Sequence, residues 1–94
     1  MNAQELFEQG RAFGKQNLYQ EAGINFTQAI AIDPNFAEAY AFRGSLRVLQ
    51  NNPQEAIEDL QKALELFQAR GDLVLANSMQ ELIEGTREEF RLDK

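Results

Sequence analysis

Apolar side chains recur along this chain three and four positions apart, and the recurrence breaks at Gln16–Leu18, Asp33–Asn35, Gln50–Pro53 and Ala69–Asp72. Such spacing puts one apolar face on an α-helix. No window shows sustained alternation of β-branched residues, so strands are not expected. The first helix is predicted over about Ala3–Gln16, with Leu6, Phe7, Gly10 and Phe13 on one side. The second spans about Tyr19–Ile32 and shows Ala22, Phe26, Ala29 and Ile30; the third, about Asn35–Gln50, carries Ala39, Tyr40, Leu46 and Leu49. Pro53 fits the first turn of a fourth helix, where its missing N–H is harmless. That helix has the clearest stripe of the chain: Ala56, Ile57, Leu60, Ala63, Leu64 and Phe67. Asp72 can cap a fifth, whose apolar face is Leu75, Met79, Leu82, Ile83 and Phe90. Gly85 disfavours it by about 1 kcal/mol relative to alanine. Thr86 and Glu89 have capping-box spacing, so the helix either restarts there or frays.

A shift of 34 positions lays the chain on itself. Ala3 falls on Ala37, Gly10 on Gly44, Gln16–Asn17 on Gln50–Asn51, Gln20–Glu21–Ala22 on Gln54–Glu55–Ala56, and Ala29 on Ala63. Small residues thus recur at the same helical positions, with Phe26 matched by Leu60 and Ile30 by Leu64. Gly10 and Ala22 have almost no side chain, so two antiparallel helices can approach closely there while Phe26 and Leu60 fill the space alongside. Pro34 ends the first unit because the residue before a proline is pushed out of the α region. One such hairpin cannot bury both of its faces; stacking hides the second and leaves a concave surface.

The period, the two helices per period and the order of small and large residues resemble the tetratricopeptide repeat, or TPR. Leu6, Gly10, Phe13, Ala22, Phe26, Ala29 and Pro34 carry the resemblance in residues 3–36, and Tyr40, Gly44, Ala56, Leu60 and Ala63 carry it in residues 37–70. It extends to about Leu82 with the last helix as a partial repeat or cap. The fold it implies is all-α: a TPR-like α-solenoid of two helix-turn-helix repeats and a capping helix over 71–92, in a single domain over 1–94. The chain departs from the family at several positions. Gln9 and Arg43 stand where a leucine is usual, Gly23 replaces a large aliphatic residue whose counterpart is Ile57, Arg47 stands for an aromatic, and Gln68 for a proline. Two repeats plus a cap lie at or below the roughly three units that stability normally requires. Self-association would then supplement the fold.

Composition narrows the function. The chain has 94 residues, no Cys, His or Trp, and a net charge of −6. The absence of Cys removes disulfides and thiolate metal sites and points to the cytoplasm. No signal peptide and no membrane-spanning run are expected. Residues 51–94 hold ten acidic and five basic side chains, against five and four in residues 1–50. That surplus repels phosphate backbones and disfavours nucleic acid. The serines, Ser45 and Ser78, have no evident base, no phosphate-binding glycine loop occurs, and GRAFG at residues 10–14 reads as helix packing. Carboxylates such as Glu55/Asp59 and Glu84/Glu88 read as surface charges rather than a cation site. Neither catalysis nor a cofactor is expected.

The resemblance implies that the first helix of each repeat lines the concave groove and receives a partner segment. The groove residues are then Phe7, Arg11 and Lys15 from the first repeat and Phe42, Ser45 and Leu49 from the second, with Gln4, Glu38 and Ala41 beside them. Asp72, Leu75, Ala76 and Met79 would come from the last helix. Such a surface suits a protein segment with two or three apolar anchors. Phe7 and Phe42 can instead pack between helices. The basic pairs Arg11/Lys15 and Arg43/Arg47 either meet an acidic partner or bridge to nearby glutamates. One TPR subtype clamps chaperone C-terminal carboxylates with Lys, Asn and Arg; its positions are Phe7, Arg11, Phe42, Asp72 and Ala76 here, and none matches. A chaperone tail is therefore not expected. The leading expectation is a non-catalytic adaptor, scaffold or assembly factor. The competing ones are a homo-oligomer, such as a homodimer, that buries the same groove, and a scaffold acting through its acidic second half.

Overall fold

A computed structural model of the chain describes residues 1–92; the last two residues of the expected 1–94 domain lie outside the described residues. The described chain is α1 (Ala3–Lys15), α2 (Tyr19–Ile32), α3 (Ala37–Leu49), α4 (Pro53–Ala69) and α5 (Leu73–Glu89). Each helix packs chiefly on its neighbours in sequence, α1 on α2, α2 on α3, α3 on α4 and α4 on α5. The third helix begins later than expected, because Asp33–Phe36 form a turn in which the Asp33 carboxylate accepts the Asn35 N–H at 3.1 Å.

The helix ends have local causes. Asn2 and Glu5 form a reciprocal capping box at the start of α1: the Asn2 Oδ1 accepts the Glu5 N–H at 2.8 Å, and the Glu5 Oε1 accepts the Asn2 N–H at 3.0 Å. Pro53 occupies the first turn of α4, and Asp72 caps α5 by accepting the Leu75 N–H at 3.2 Å. Four helices close in one way. Asn17, Asn51, Gly71 and Arg91 take positive φ (63°, 59°, 78° and 57°) after α1, α3, α4 and α5. The next residue's N–H then returns to a helix carbonyl, as in Leu18 to Phe13 at 3.0 Å and Asn52 to Arg47 at 2.9 Å. Asn is among the few non-glycine residues that tolerate this conformation, so the Asn17/Asn51 identity of the two units has a backbone reason.

The expected close approach is present in both units. A Cβ added at Gly10 would stand 2.7 Å from Phe26 Cε1, and one at Gly44 would stand 2.9 Å from Leu60 Cδ2. Around these contacts lie two cores. Leu6, Phe7, Ala22, Phe26 and Ala29 form the first with Ala39 and Leu46 of α3. The second joins Leu60, Ala63, Leu64 and Phe67 of α4 to Ala76, Met79 and Ile83 of α5. Gly85 neither breaks nor restarts α5. The helix runs through it, and the Thr86 hydroxyl donates to the Leu82 carbonyl at 2.7 Å, a mid-helix bond rather than a cap.

Two positions where the sequence departs from the family pattern share one structural solution. Gln9 Oε1 accepts the Asn25 side-chain amide at 2.7 Å in the first unit. In the second, Arg43 Nε and Nη2 both bond the Asp59 carboxylate at 2.8 Å. The pairs occupy equivalent positions, 34 residues apart. A polar bridge between the helices of each hairpin stands in for the usual leucine. Asp59 is therefore not the surface charge expected of the Glu55/Asp59 pair: it is buried, and it also accepts Arg47 Nη1 at 2.8 Å. The Asp59 hydrogen bonds, outweighing the desolvation, hold the Arg43 guanidinium above its ordinary pKa.

Candidate functional site

The central helix α3 sets the surface. Phe42, Ser45 and Leu49 stand three and four residues apart, so they share one face of α3. The cores take Ala39 and Leu46 from its other sides, leaving Phe42 at 42% and Leu49 at 61% exposure. On α1, the i,i+4 pair Arg11 and Lys15 lies beside this face.

A depression of about 240 Å³ lies between these helices, lined by Arg11, Gly14, Lys15, Phe42, Ser45 and Leu49 and floored by Tyr19, Ala22, Phe26 and Leu46. Five of the six expected groove residues thus meet in one place. The sixth, Phe7, is only 5% exposed. It lies beneath, packed edge-on against Phe42 at 5.3 Å between ring centres and 4.9 Å from Phe36. Phe7 therefore supports the surface rather than lining it. Arg11 extends over both rings, 5.3 Å from Phe42 and 5.9 Å from Phe7, and reaches Glu8 at 3.2 Å. Lys15 has no hydrogen-bond or ion-pair partner among the described residues.

A second depression, about 380 Å³, lies on the other side of α3, lined by Ser45, Val48, Leu49, Leu60, Glu81, Leu82, Gly85, Thr86 and Glu89. Ser45 and Leu49 belong to both, so the two form one trough with Leu49 as its midline ridge. The contribution of α5 differs from expectation. Ala76 and Met79 are buried against α4, and Asp72 caps its own helix. Glu81, Leu82, Gly85 and Glu89 face the trough instead. Ala76, Met79, Ile83 and Thr86, at spacings of three and four, form the buried side of α5; that register was the available signal. The other basic pair, Arg43/Arg47, is taken up internally by Asp59, with Glu55 3.7 Å from Arg47.

Among the described residues no group of three or more acidic, His or Cys side chains could hold a metal ion, and no helix is long and apolar enough to cross a membrane. The trough offers apolar side chains flanked by a few charges.

Comparison with known proteins identifies the repeat. The tetratricopeptide repeat family model matches residues 3–36 and 37–70, the two units read from the 34-residue period. The chain is 34% identical over 73 residues to the DnaJ homolog subfamily C member 7 homolog of Dictyostelium discoideum, covering 78% of this chain and 14% of that protein. It is 39% identical over 66 residues to RNA polymerase II-associated protein 3 of Xenopus tropicalis, covering 66% of this chain and 10% of that one. The chain therefore spans only a small part of these relatives. Its fold matches a solved tetratricopeptide repeat domain protein of Salinibacter ruber with a TM-score of 0.86 at 15% identity, over 94% of this chain and 89% of the other. The chain belongs to the tetratricopeptide repeat family, an all-α family of generally non-catalytic protein–protein interaction modules.

Proposed function

We propose that residues 1–94 act as one domain, a non-catalytic adaptor, scaffold or assembly factor in the cytoplasm, which holds a partner's segment in the trough along α3. One observation carries this reading: two depressions join at Ser45 and Leu49 into a continuous apolar trough whose ridge, Leu49, contacts solvent over most of its surface. Leu49 stands exposed beside a phenylalanine, Phe42, whose inner edge packs on Phe7 and whose outer part reaches solvent, and together they supply the apolar anchor points a bound segment needs. A chaperone C-terminal carboxylate is not the proposed ligand, because two clamp positions are phenylalanines, one of them buried, and Asp72 would repel it. Nucleic acid is disfavoured by the charge.

The test is selection from a random peptide library displayed on phage, with Leu49→Asp as the counter-target. Enriched peptides are expected to bind the wild-type chain and to lose about tenfold or more in affinity on Leu49→Asp, the effect of burying an unpaired carboxylate in an anchor pocket. Peptides that bind both proteins equally would place the binding surface elsewhere. The exposure of Leu49 also favours a second reading, a homodimer buried on this face. Light scattering over a tenfold range of concentration separates the two: a constant monomer mass supports the segment reading, and a persistent dimer supports self-association.

A further inference from the structure

The two ends of the trough carry opposite charge. Arg11 and Lys15, both basic, border the depression on the α1 side, which no acidic residue lines. Glu81 and Glu89 border the depression on the α5 side, which no basic residue lines. Between them lie Ser45, Val48, Leu49 and Leu82, with no charge. Arg11 reaches Glu8 at 3.2 Å, but Lys15, Glu81 and Glu89 have no hydrogen-bond or ion-pair partner among the described residues, so the fold does not use the separation between these three. It differs from the Arg43–Asp59 and Arg70–Glu38 bridges, where opposite charges meet and cancel within the chain.

Resting on the trough as the binding surface, we infer that the bound segment is itself polarised: acidic at the end over α1, aliphatic in the middle, and basic at the end over α5. Charge complementarity is the argument for a partner rather than a second copy. A dimer could align opposite charges only by laying one trough on another about its middle, which sets one Leu49 ridge on the other and holds the flanking depressions apart, whereas a segment can lie along both. The backbone is consistent with a close-lying occupant. Gly14 is in one depression and Gly85 in the other, both inside helices, and a Cβ added at either would meet no atom within 4 Å. Helix packing therefore does not require these glycines, although each disfavours its helix by about 1 kcal/mol. They keep the lining low on one side of each depression. Exposed charges at the rim of an apolar site fix orientation and raise the rate of encounter more than they add affinity, and salt screens them.

The selection on the wild-type chain, its peptides sequenced and then measured against Lys15→Glu and Glu89→Lys, tests this. Both substitutions lie on exposed helix ends, and circular dichroism checks that they fold. Enriched peptides are expected to carry acidic residues on one side of an apolar centre and basic residues on the other. Each variant should weaken them by about threefold to fivefold, within the range for one exposed pair, with the loss shrinking at high salt. A peptide with its acidic end changed to lysine should recover affinity for Lys15→Glu. Peptides that lose binding with Leu49→Asp but show no charge order, or that ignore both charge variants, overturn the polarity and leave the trough standing. Peptides indifferent to Leu49→Asp overturn both readings.

Discussion

At the scale of single residues, Asp59 holds a concentrated set of polar contacts. It is 4% exposed and accepts three hydrogen bonds of 2.8 Å from Arg43 and Arg47. Removing its charge strands two guanidinium groups that are themselves partly buried. Asp59→Asn is expected to destabilise the fold by about 3 kcal/mol, the lower end of the range for breaking a buried pair, read from urea unfolding. The double substitution Asp59→Leu with Arg43→Leu removes the bidentate pair, leaves Arg47 to Glu55 at 3.7 Å, and should return to within about 1 kcal/mol of the wild type, since apolar replacement of a buried pair is often neutral or better. If the double variant is as unstable as Asp59→Asn, the bridge contributes more than pairing its own charges. The Glu38–Arg70 pair lies nearer solvent and links the start of α3 to the end of α4. The hydrogen bond from Arg70 lowers the Glu38 pKa, more than offsetting its partial desolvation. A lowered carboxylate pKa gives stability that is fully present above the unfolded value, about 4.3, and lost as pH falls through the folded one. Thermal unfolding should therefore show a small stabilising increment at pH 6 that vanishes in strong acid, and Arg70→Gln should abolish this pH dependence, lowering the low-pH baseline only by what the contact of Arg70 with the Phe67 ring at 4.9 Å contributes.

At the scale of elements, the glycines divide by what lies across from them. A Cβ added at Gly10 would stand 2.7 Å from the Phe26 ring, whereas one added at Gly85 would meet nothing within 4 Å. Gly10→Ala gains helix propensity but forces the ring aside, and a net loss of about 1–3 kcal/mol is expected. Gly85→Ala meets no obstacle and should stabilise the fold by about 0.5–1 kcal/mol. Opposite signs from one substitution, measured by chemical denaturation, would establish that helix contact rather than propensity decides these positions. The sequence is informative about Gly10 because its equivalent, Gly44, recurs 34 residues later beside a matched large residue. Nothing comparable marks Gly85, and its meaning emerges only when α5 is seen to continue through it. The same contrast governs the site. Phe42, Ser45 and Leu49 follow from helical spacing along α3, but the burial of Phe7 depends on Phe36 in the turn after α2 and on Phe42 arriving from the next unit. The face of α5 depends on its rotation against α4, and either of its overlapping apolar stripes fits helical spacing. Asp59 was misleading for a simpler reason: an i,i+4 carboxylate pair reads as surface unless its cationic partners, on another helix, are known.

At the scale of the whole molecule, α3 belongs to both halves. Its Ala39 and Leu46 complete the first core, while Ala37 joins the second. The repeats therefore share a helix rather than meeting at a separable boundary, and nearest-neighbour coupling of this kind makes a short array unfold as a unit. The chain provides its own reporters, because it has no Trp and only two Tyr, Tyr19 in the first unit and Tyr40 in the second. Tyr19→Phe and Tyr40→Phe each leave one fluorophore, so tyrosine emission then follows one half at a time. The two denaturant curves are expected to coincide with each other and with circular dichroism after allowing for the small stability change of each substitution. Leu46→Ala, which empties part of the shared interface, should destabilise by about 2–5 kcal/mol and shift the Tyr19 and Tyr40 reporters together. Separate midpoints in the wild-type background would mean that the repeats melt independently. The trough, built from α1, α3 and α5 together, would then lose one depression before the other, and a segment gripped at both ends could be held only below the first midpoint.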